Sequence, residues 1–411
     1  MQKRLKLYIK FVRWFTQEKF STLNIRPRKV CQVVAPKQPA ILQVLPALNS
    51  GGVERGTCEI AKTIVDRSWQ SYVASTGGGL VNELEKSGTR HVRISTLKSH
   101  VLVFYSAWQL YKIIKQCNID LVHARSRLPA WACYWASKWA KVPMVTTFHG
   151  AYGCQNHFKY FYNSVMVKGE RVIAPSQFIV DHIKKTYKVP CSKIDLIYRG
   201  VDLEQFYPSA VSTHTIKLIR KKWQVQQGEM VFLLPGRFTA IKGHEILLRA
   251  LAAFKDKNWK LILMGSWYGK EKYFEYIKKV IVDLDLESHV LIEPAQGAVQ
   301  EAYAAADIVV CPSIKPESFG RTIAEAGAMA KPVITTNIGG GAEIVVSNET
   351  GWLVQPNSVD DLRKALGQAF KLEPERLGEI GKAAEERIRK KFTLTAMQSK
   401  TIKLYESVLK V

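Results

Sequence analysis

The sequence predicts an α/β protein of two Rossmann-like, doubly wound domains that face each other across a cleft. Three observations carry this expectation. The 411 residues exceed one ordinary core and suit two or three domains. Short apolar runs alternate with stretches of helical period along most of the chain, the mark of βαβ units and parallel sheets. The alternation pauses around Pro208 and then begins again, so the scheme runs twice. Two such sheets in tandem leave a cleft lined by the C-terminal ends of their strands, where open α/β sheets bind ligands.

Taken in order, residues 1–38 come before the first sheet. In 1–20, Leu5, Ile9, Val12 and Phe15 recur at helical spacing, punctuated by Lys3, Lys6, Lys10 and Arg13. Such a basic amphipathic helix suits a lipid interface or a place packed on the domain. The rest, with Pro27 and Pro36, reads as a linker. The first domain spans 39–210. It begins with a strand over 41–45, a turn at Gly51-Gly52 and a helix over 53–65. A strand over 71–75 stops at Gly77-Gly78-Gly79. Further strands are expected at 121–124, 144–148, 172–174 and 194–198, with an aromatic-rich helix between the first two. The second domain spans 211–392. Its strands are expected at 231–234, 260–264, 290–292, 308–311, 332–336 and 352–354, with a helix over 245–254 after a glycine-bearing turn.

Charge is unevenly spread. The chain carries 60 Lys and Arg against 35 Asp and Glu, and residues 1–210 hold 31 of those cations but only 12 of the acids. A basic half implies anionic partners such as phospholipid, phosphorylated glycan or nucleic acid, set against the plainer reading of a soluble basic surface. No zinc-finger, RNP or helix-turn-helix signature accompanies the charge, so nucleic acid is not the expected partner. The seven cysteines are scattered and form no CxxC, which fits reduced thiols of a cytosolic protein rather than a disulfide framework or zinc site. No run approaches the ~18 apolar residues of a membrane span, and Lys6, Lys10 and Arg13 break up any signal-peptide core. The expected location is cytoplasmic, peripheral at the inner face of the plasma membrane.

The strongest chemical signal is Glu317-Ser-Phe-Gly-Arg-Thr-Ile-Ala-Glu325, which follows a strand and opens a helix. Ser318, Phe319 and Gly320 fall at the helix start, where unpaired N–H groups and the helix dipole favour an anion. Glu317 and Glu325 flank that site. Carboxylates beside an anion make sense if they accept hydroxyl hydrogen bonds from sugar or ribose. Glu325 alone could be a solvated helix residue, but its neighbours Ala324, Ala326, Ala328 and Ala330 are small. The second signal is Pro235-Gly236-Arg237 through Lys242-Gly243, also between a strand and a helix. Arg237 can grip phosphate bidentately and Lys242 acts as a point charge, a pairing that suits a diphosphate. Taken singly, each would be a surface cation. Asp283-Leu-Asp285 sits in a helical pattern and reads as a solvated helix face rather than a metal site.

GGVER (51–55), TTFHG (146–150), GVD (200–202), PGRxxxxKG (235–243) and the pair Glu317/Glu325 together resemble the GT4 family of glycosyltransferases over about residues 40–411. The resemblance implies the GT-B fold, with the nucleotide sugar on the C-terminal domain and the acceptor on the N-terminal one. It implies that Arg237 and Lys242 bind the donor diphosphate, Glu325 the ribose diol and Glu317 the sugar hydroxyls, with the backbone of Ser318, Phe319 and Gly320 nearby. It further implies that Gly236 belongs to the donor loop, that Gly52 lets the first loop approach the donor, and that His149 sits by the transferred sugar. From its place after a strand and before Gly150, His149 reads as a polar contact to that sugar rather than a general base, set against a buried, hydrogen-bonded histidine at a strand end. Residues 393–411 resemble a helix that crosses back to the first domain. No metal or other cofactor is expected beyond the nucleotide-sugar co-substrate. Arg125 and Arg127 follow a strand and point toward the cleft, as grips for an anionic acceptor or as structural cations. LPALNSGGVERGT and VHARSRLPAW look most like bacterial lipopolysaccharide glycosyltransferases, so a lipid-linked or lipopolysaccharide-type glycan acceptor is expected, with contact to anionic membrane. A nucleotide-sugar epimerase of the same fold and a basic nucleic-acid-binding protein are the competing readings.

Overall fold

The computed structural model describes residues 38–49, 51–153, 156–294 and 299–411. The amphipathic helix over 1–20 and nearly all of the linker lie outside these residues. Two all-parallel sheets follow. The first holds β1 (Ala40–Val44), β2 (Gln70–Ser75), β3 (Arg90–Arg93), β4 (Leu121–Ala124), β5 (Met144–Thr147), β6 (Arg171–Ala174) and β7 (Ile194–Leu196), in the order β3-β2-β1-β4-β5-β6-β7. The second holds β8 (Met230–Pro235), β9 (Trp259–Met264), β10 (Val290–Glu293), β11 (Ile308–Cys311), β12 (Val333–Thr336) and β13 (Gly351–Val354), in the order β10-β9-β8-β11-β12-β13. Strand order reverses between β1 and β4 in one sheet and between β8 and β11 in the other. Each reversal opens a crevice at the strands' C-terminal ends.

Burial on both faces explains the continuous apolar runs. Leu42 and Val44 of β1 face one core while Ile41 faces another, and the second sheet likewise has a core on each side. Helix α1 (Gly52–Asp66) follows β1, and α2 (Val81–Lys86) follows β2. Helices α3 (Val103–Gln116) and α4 (Arg127–Ala140) flank β4, while α5 (His157–Ser164) and α6 (Gln177–Tyr187) follow β5 and β6. In the second domain come α7 (Thr213–Lys222), α8 (His244–Leu251), α9 (Glu271–Asp283), α10 (Val299–Ala305), α11 (Arg321–Ala328), α12 (Val359–Ala369) and α13 (Pro374–Lys391). The last helix, α14 (Leu394–Leu409), crosses to the first sheet and packs Ile402, Leu404 and Tyr405 against Ile41, Leu121 and Val145. The crossing is stapled by Val201, whose N–H donates to Phe392 O and whose carbonyl accepts from Leu394 N–H. The Gly200-Val-Asp segment is therefore where two chain crossings pair.

Two details depart from the sequence reading. Strand β3, Arg-His-Val-Arg, is an edge strand whose exposed cations hide its period; charge of this kind blunts edge pairing. Asp283-Leu-Asp285 straddles the end of α9 rather than lying on its face. Asp285 has φ 48° and pairs with Lys255 at 3.1 Å. Among the described residues no helix is long and apolar enough to cross a membrane.

Candidate active site

The second sheet's reversal point brings two turns together. The turn after β8 carries Gly236, Arg237 and Lys242; the turn after β11 carries Ser313 and Glu317. They clasp through the backbone, Ile314 N–H donating to Ile241 O at 2.8 Å. Gly243 starts α8 at φ 75°, and a Cβ there would fall 2.1 Å from Pro312 O, so only glycine permits this approach. Across the clasp, Lys242 Nζ meets Glu317 Oε1 at 2.8 Å, and Ser313 Oγ donates to the same oxygen at 2.7 Å. Burial pushes the Glu317 carboxyl up, but Lys242 and these hydrogen bonds outweigh it and hold the group below the usual range. The stem of Lys242 passes close over Gly236. Arg237 is exposed and makes no ion pair among the described residues.

Helix α11 starts at Gly320, with φ 100° and no side-chain cap, so its first N–H groups remain available to an anion. A Cβ on Gly320 would lie 2.9 Å from Gly341 Cα. Phe319 is buried against Phe392, which leaves only its backbone to face a ligand. Glu325 is buried. Its Oε1 accepts from Arg321 Nε at 2.8 Å and its Oε2 from the Tyr303 hydroxyl at 3.0 Å. Burial is the leading cause that raises its pKa; it outweighs Arg321 and the Tyr303 hydrogen bond, and the nearby Glu59 charge adds to it. Arg321 in turn is raised: burial disfavours its charge, but the carboxylates of Glu59 and Glu325 more than make up for it.

The Arg321–Glu59 pair, at 2.9 Å, joins α11 to α1 of the first domain. A cavity of about 560 Å³ lies beside it, lined by Glu59, Asp202, Phe206, Arg321, Glu325 and Gln398. A second tie runs from Glu343, whose carboxylate accepts the N–H groups of Gln177 and Phe178 at 2.9 and 2.7 Å and so caps α6. The cleft is thus bridged by charge at two places.

On the first domain's wall, His149 follows β5. Arg199 Nη2 donates to its Nδ1 at 3.0 Å, and Arg199 Nη1 donates to Gly52 O. Burial first, then Arg199, Arg125 and His123, hold the His149 ring well below the usual histidine range, so it is neutral. With Nδ1 accepting, Nε2 carries the proton, and no protein group among the described residues accepts it. Gly52 is exposed and a Cβ there would meet nothing within 4 Å, so space stands open over it.

Of the two readings offered for Arg125, its contacts fit the structural one. Arg125 is only 4% exposed and donates through Nε to Gln43 Oε1 at 2.7 Å, because β4 lies beside β1 and a buried glutamine needs a donor. Arg127 is part-buried, bonded to Asn163 at 3.0 Å and stacked on Tyr152 at 4.2 Å. Sequence reasoning missed Arg199, Arg321, Glu59 and Tyr303. Of these only Arg321 left a local signal, four residues before Glu325 on one helix. Among the described residues no group of three or more His, Cys, Asp or Glu gathers as a metal site.

Residues 215–387 match the family described as Glycosyl transferases group 1, and residues 50–205 match Glycosyltransferase Family 4. A crystal structure of a glycosyltransferase from Rickettsia africae is 37% identical, superposes with a TM-score of 0.85, and covers 91% of this chain and 99% of its own. A glycosyltransferase of Methanocaldococcus jannaschii is 28% identical over 72% of this chain and 78% of its own length. Anabaena HepE in complex with UDP-glucose shares the fold at 22% identity, with a TM-score of 0.79, covering 90% of this chain and 99% of its own.

Proposed function

The chain belongs to the GT4 glycosyltransferases of GT-B fold, and from that premise we propose that it transfers a sugar, with retention of configuration, from a nucleotide-sugar donor on the second domain to a lipid-linked or lipopolysaccharide-type glycan on the first. The observation that carries this reading is the Lys242–Glu317 pair, which fixes two turns beside the uncapped start of α11. In the proposal Arg237, Lys242 and the N–H groups of Ser318 to Arg321 receive the diphosphate, with Gly236 and Gly52 leaving it room. Lys242 exchanges Glu317 for the diphosphate, and Glu317 turns to the sugar hydroxyls. Glu325 already has one partner on each oxygen. Each oxygen keeps a second lone-pair direction for a ribose hydroxyl. His149 Nε2–H is a donor suited to a sugar oxygen.

The reaction is written as front-face displacement. The acceptor oxygen bonds to the anomeric carbon as the bond to the diphosphate breaks. The electron pair leaves with the diphosphate, whose oxygen takes the acceptor proton. Charge on the leaving group is met by Arg237, Lys242 and helix N–H groups, so the proposal needs no metal. Donor contacts drawn from both domains make closure over the substrate part of the cycle. The acceptor reading rests on the basic first domain and places the enzyme at the inner membrane surface.

A thermal-shift screen against UDP-, GDP- and ADP-sugars tests the donor claim, since a ligand present at 100 times its Kd adds about 2.7 kcal/mol. The bound UDP-glucose of the Anabaena structure makes UDP-sugars the first to try. Donor-dependent stabilisation with transfer to a glycan supports the reading. Release of an epimerised sugar, or salt-sensitive DNA binding with no donor effect, contradicts it.

A further inference from the structure

The first domain carries a face that its fold leaves unused. Helix α4 turns Ala132, Cys133, Ala136 and Ala140 inward. Its other side carries the part-buried Trp131, Tyr134 and Trp135 and the exposed Lys138 and Trp139, at the i, i+3, i+4, i+7, i+8 spacing of one helical stripe. Neighbouring helices extend the stripe. Phe104 of α3 lies 5.7 Å from the Trp135 ring, and Phe161 of α5 lies 5.0 Å from Trp131. Phe158 is 87% exposed, Phe161 62% and Val101 91%. Of the fourteen exposed large apolar side chains among the described residues, eight fall in 101–161. Ring contacts run unbroken from Phe104 through Trp135, Tyr134 and Trp131 to Phe161, so the aromatic side chains of the three helices form one patch, which scattered surface apolar residues would not.

Charge identifies the occupant. Residues 101–168 carry eight Lys and Arg and a single acid, Asp120, which accepts the Ala40 N–H at 2.9 Å. Lys138 and Lys168 sit 5.9 and 5.5 Å from the Tyr134 ring. These three residues are shared by two surface cavities of about 670 and 420 Å³. Lys141 lines the first with Glu170 and with Arg171, whose charge is paired with Asp195, and Lys188 and Lys193 line the second. Aromatic side chains rimmed by lysine suit the headgroup level of a bilayer, where amphipathic rings and cations gain most. A second copy of the chain would set cation against cation. So would residues 1–37, which hold ten Lys and Arg against Glu18 alone.

We propose that the outward side of α3, α4 and α5 docks the protein on an anionic phospholipid bilayer. The face runs into the acceptor wall of the cleft. Arg127, at the start of α4, stacks on Tyr152, whose ring packs 4.7 Å from Phe148, the residue before His149. A lipid-linked acceptor would then reach the cleft from the bilayer without leaving it. This deepens the lipid-linked acceptor reading and rests on it only for the choice of acceptor, because vesicle binding is measured without substrate.

The test uses the full chain and vesicles of phosphatidylcholine with or without phosphatidylglycerol. The wild type should float with the anionic vesicles and not with phosphatidylcholine alone. Phe158→Ser/Phe161→Ser and Lys138→Glu/Lys168→Glu should each lower partition by on the order of tenfold with an unchanged melting temperature. Leu218→Ser/Val282→Ser, exposed positions on the second domain, should not. Hydrogen exchange over 156–164 should slow when anionic vesicles are added. Equal binding by both face variants and the wild type would overturn the proposal, as would exchange over 156–164 that vesicles leave unchanged. Self-association abolished by Phe158→Ser/Phe161→Ser would also overturn it, assigning the face to a second copy. Loss of sugar transfer to a water-soluble acceptor, with vesicle binding intact, would count against the transferase reading alone.

Discussion

Replacing Lys242 with methionine keeps the aliphatic stem over Gly236 and removes only the charge, so it separates what the ammonium does for folding from what it does for chemistry. In the free protein the charge neutralises Glu317, whose side chain is 29% exposed, at 2.8 Å. Without it Glu317 keeps Ser313 as a donor but loses its counter-charge, an imbalance of about 1–3 kcal/mol. At about 2–4 °C per kcal/mol for a domain of this size, the melting temperature should fall by several degrees. Burial, the largest influence on Glu317, is then opposed by the Ser313 hydrogen bond alone and its pKa rises above the usual range, so the variant, unlike the wild type, should gain stability as pH falls through that raised value. In the proposed reaction Lys242 also meets charge on the departing diphosphate. Loss of one such contact costs about 10²–10³ in turnover, or about 2.7–4 kcal/mol. The double variant Lys242→Met/Glu317→Gln pairs the two readouts. Calorimetry should show most of the lost stability restored, while initial rates with a saturating donor stay low. Near-normal turnover in either variant, or recovery of rate along with stability, would refute the reasoning.

Three further outcomes follow from the same geometry. Glu59→Gln removes the cross-domain partner of Arg321 but no proposed donor contact; donor affinity should weaken about two- to fivefold by calorimetry, as for a part-exposed ion pair, with a larger radius of gyration in solution. His244 is fully buried, stacked on Phe238 and held down to about 4, chiefly by burial and then by Lys242. A histidine kept neutral in the fold but protonated when unfolded destabilises as pH falls from about 6.5 toward 4, by at most about 3 kcal/mol. His244→Phe should flatten that part of the melting-temperature profile, and an unchanged slope would exclude His244 as a source. Gly320→Ala forces a side chain onto φ 100° against Gly341, so it should cost about 1–2 kcal/mol in stability and weaken donor-induced thermal shifts.

The legible parts of this protein are those where local pattern and tertiary role agree. Strands such as β1, β8 and β11 are buried on both faces, so their apolar runs stand out, and the turns after β8 and β11 advertise themselves through glycine beside charge. Strand β3 was illegible because an edge strand is half solvated and its arginines mask the period. Arg125 stayed open between two roles for a different reason: its position at a strand end says nothing about Gln43, 82 residues away, which binds its Nε. Arg199 and Glu59 take part in contacts over 147 and 262 residues, which no spacing rule can reveal. Arg321 could have been found, since a cation four residues before a carboxylate on a helix is a neighbour by construction.

The most direct measurement is a crystal structure of the protein with a bound nucleotide diphosphate-sugar. The diphosphate is predicted within hydrogen-bonding reach of Arg237, Lys242 and the first N–H groups of α11, with the ribose on Glu325 and the sugar beside Glu317. A diphosphate seated away from Lys242, or a ribose that leaves Glu325 to Arg321 and Tyr303 alone, would contradict the account.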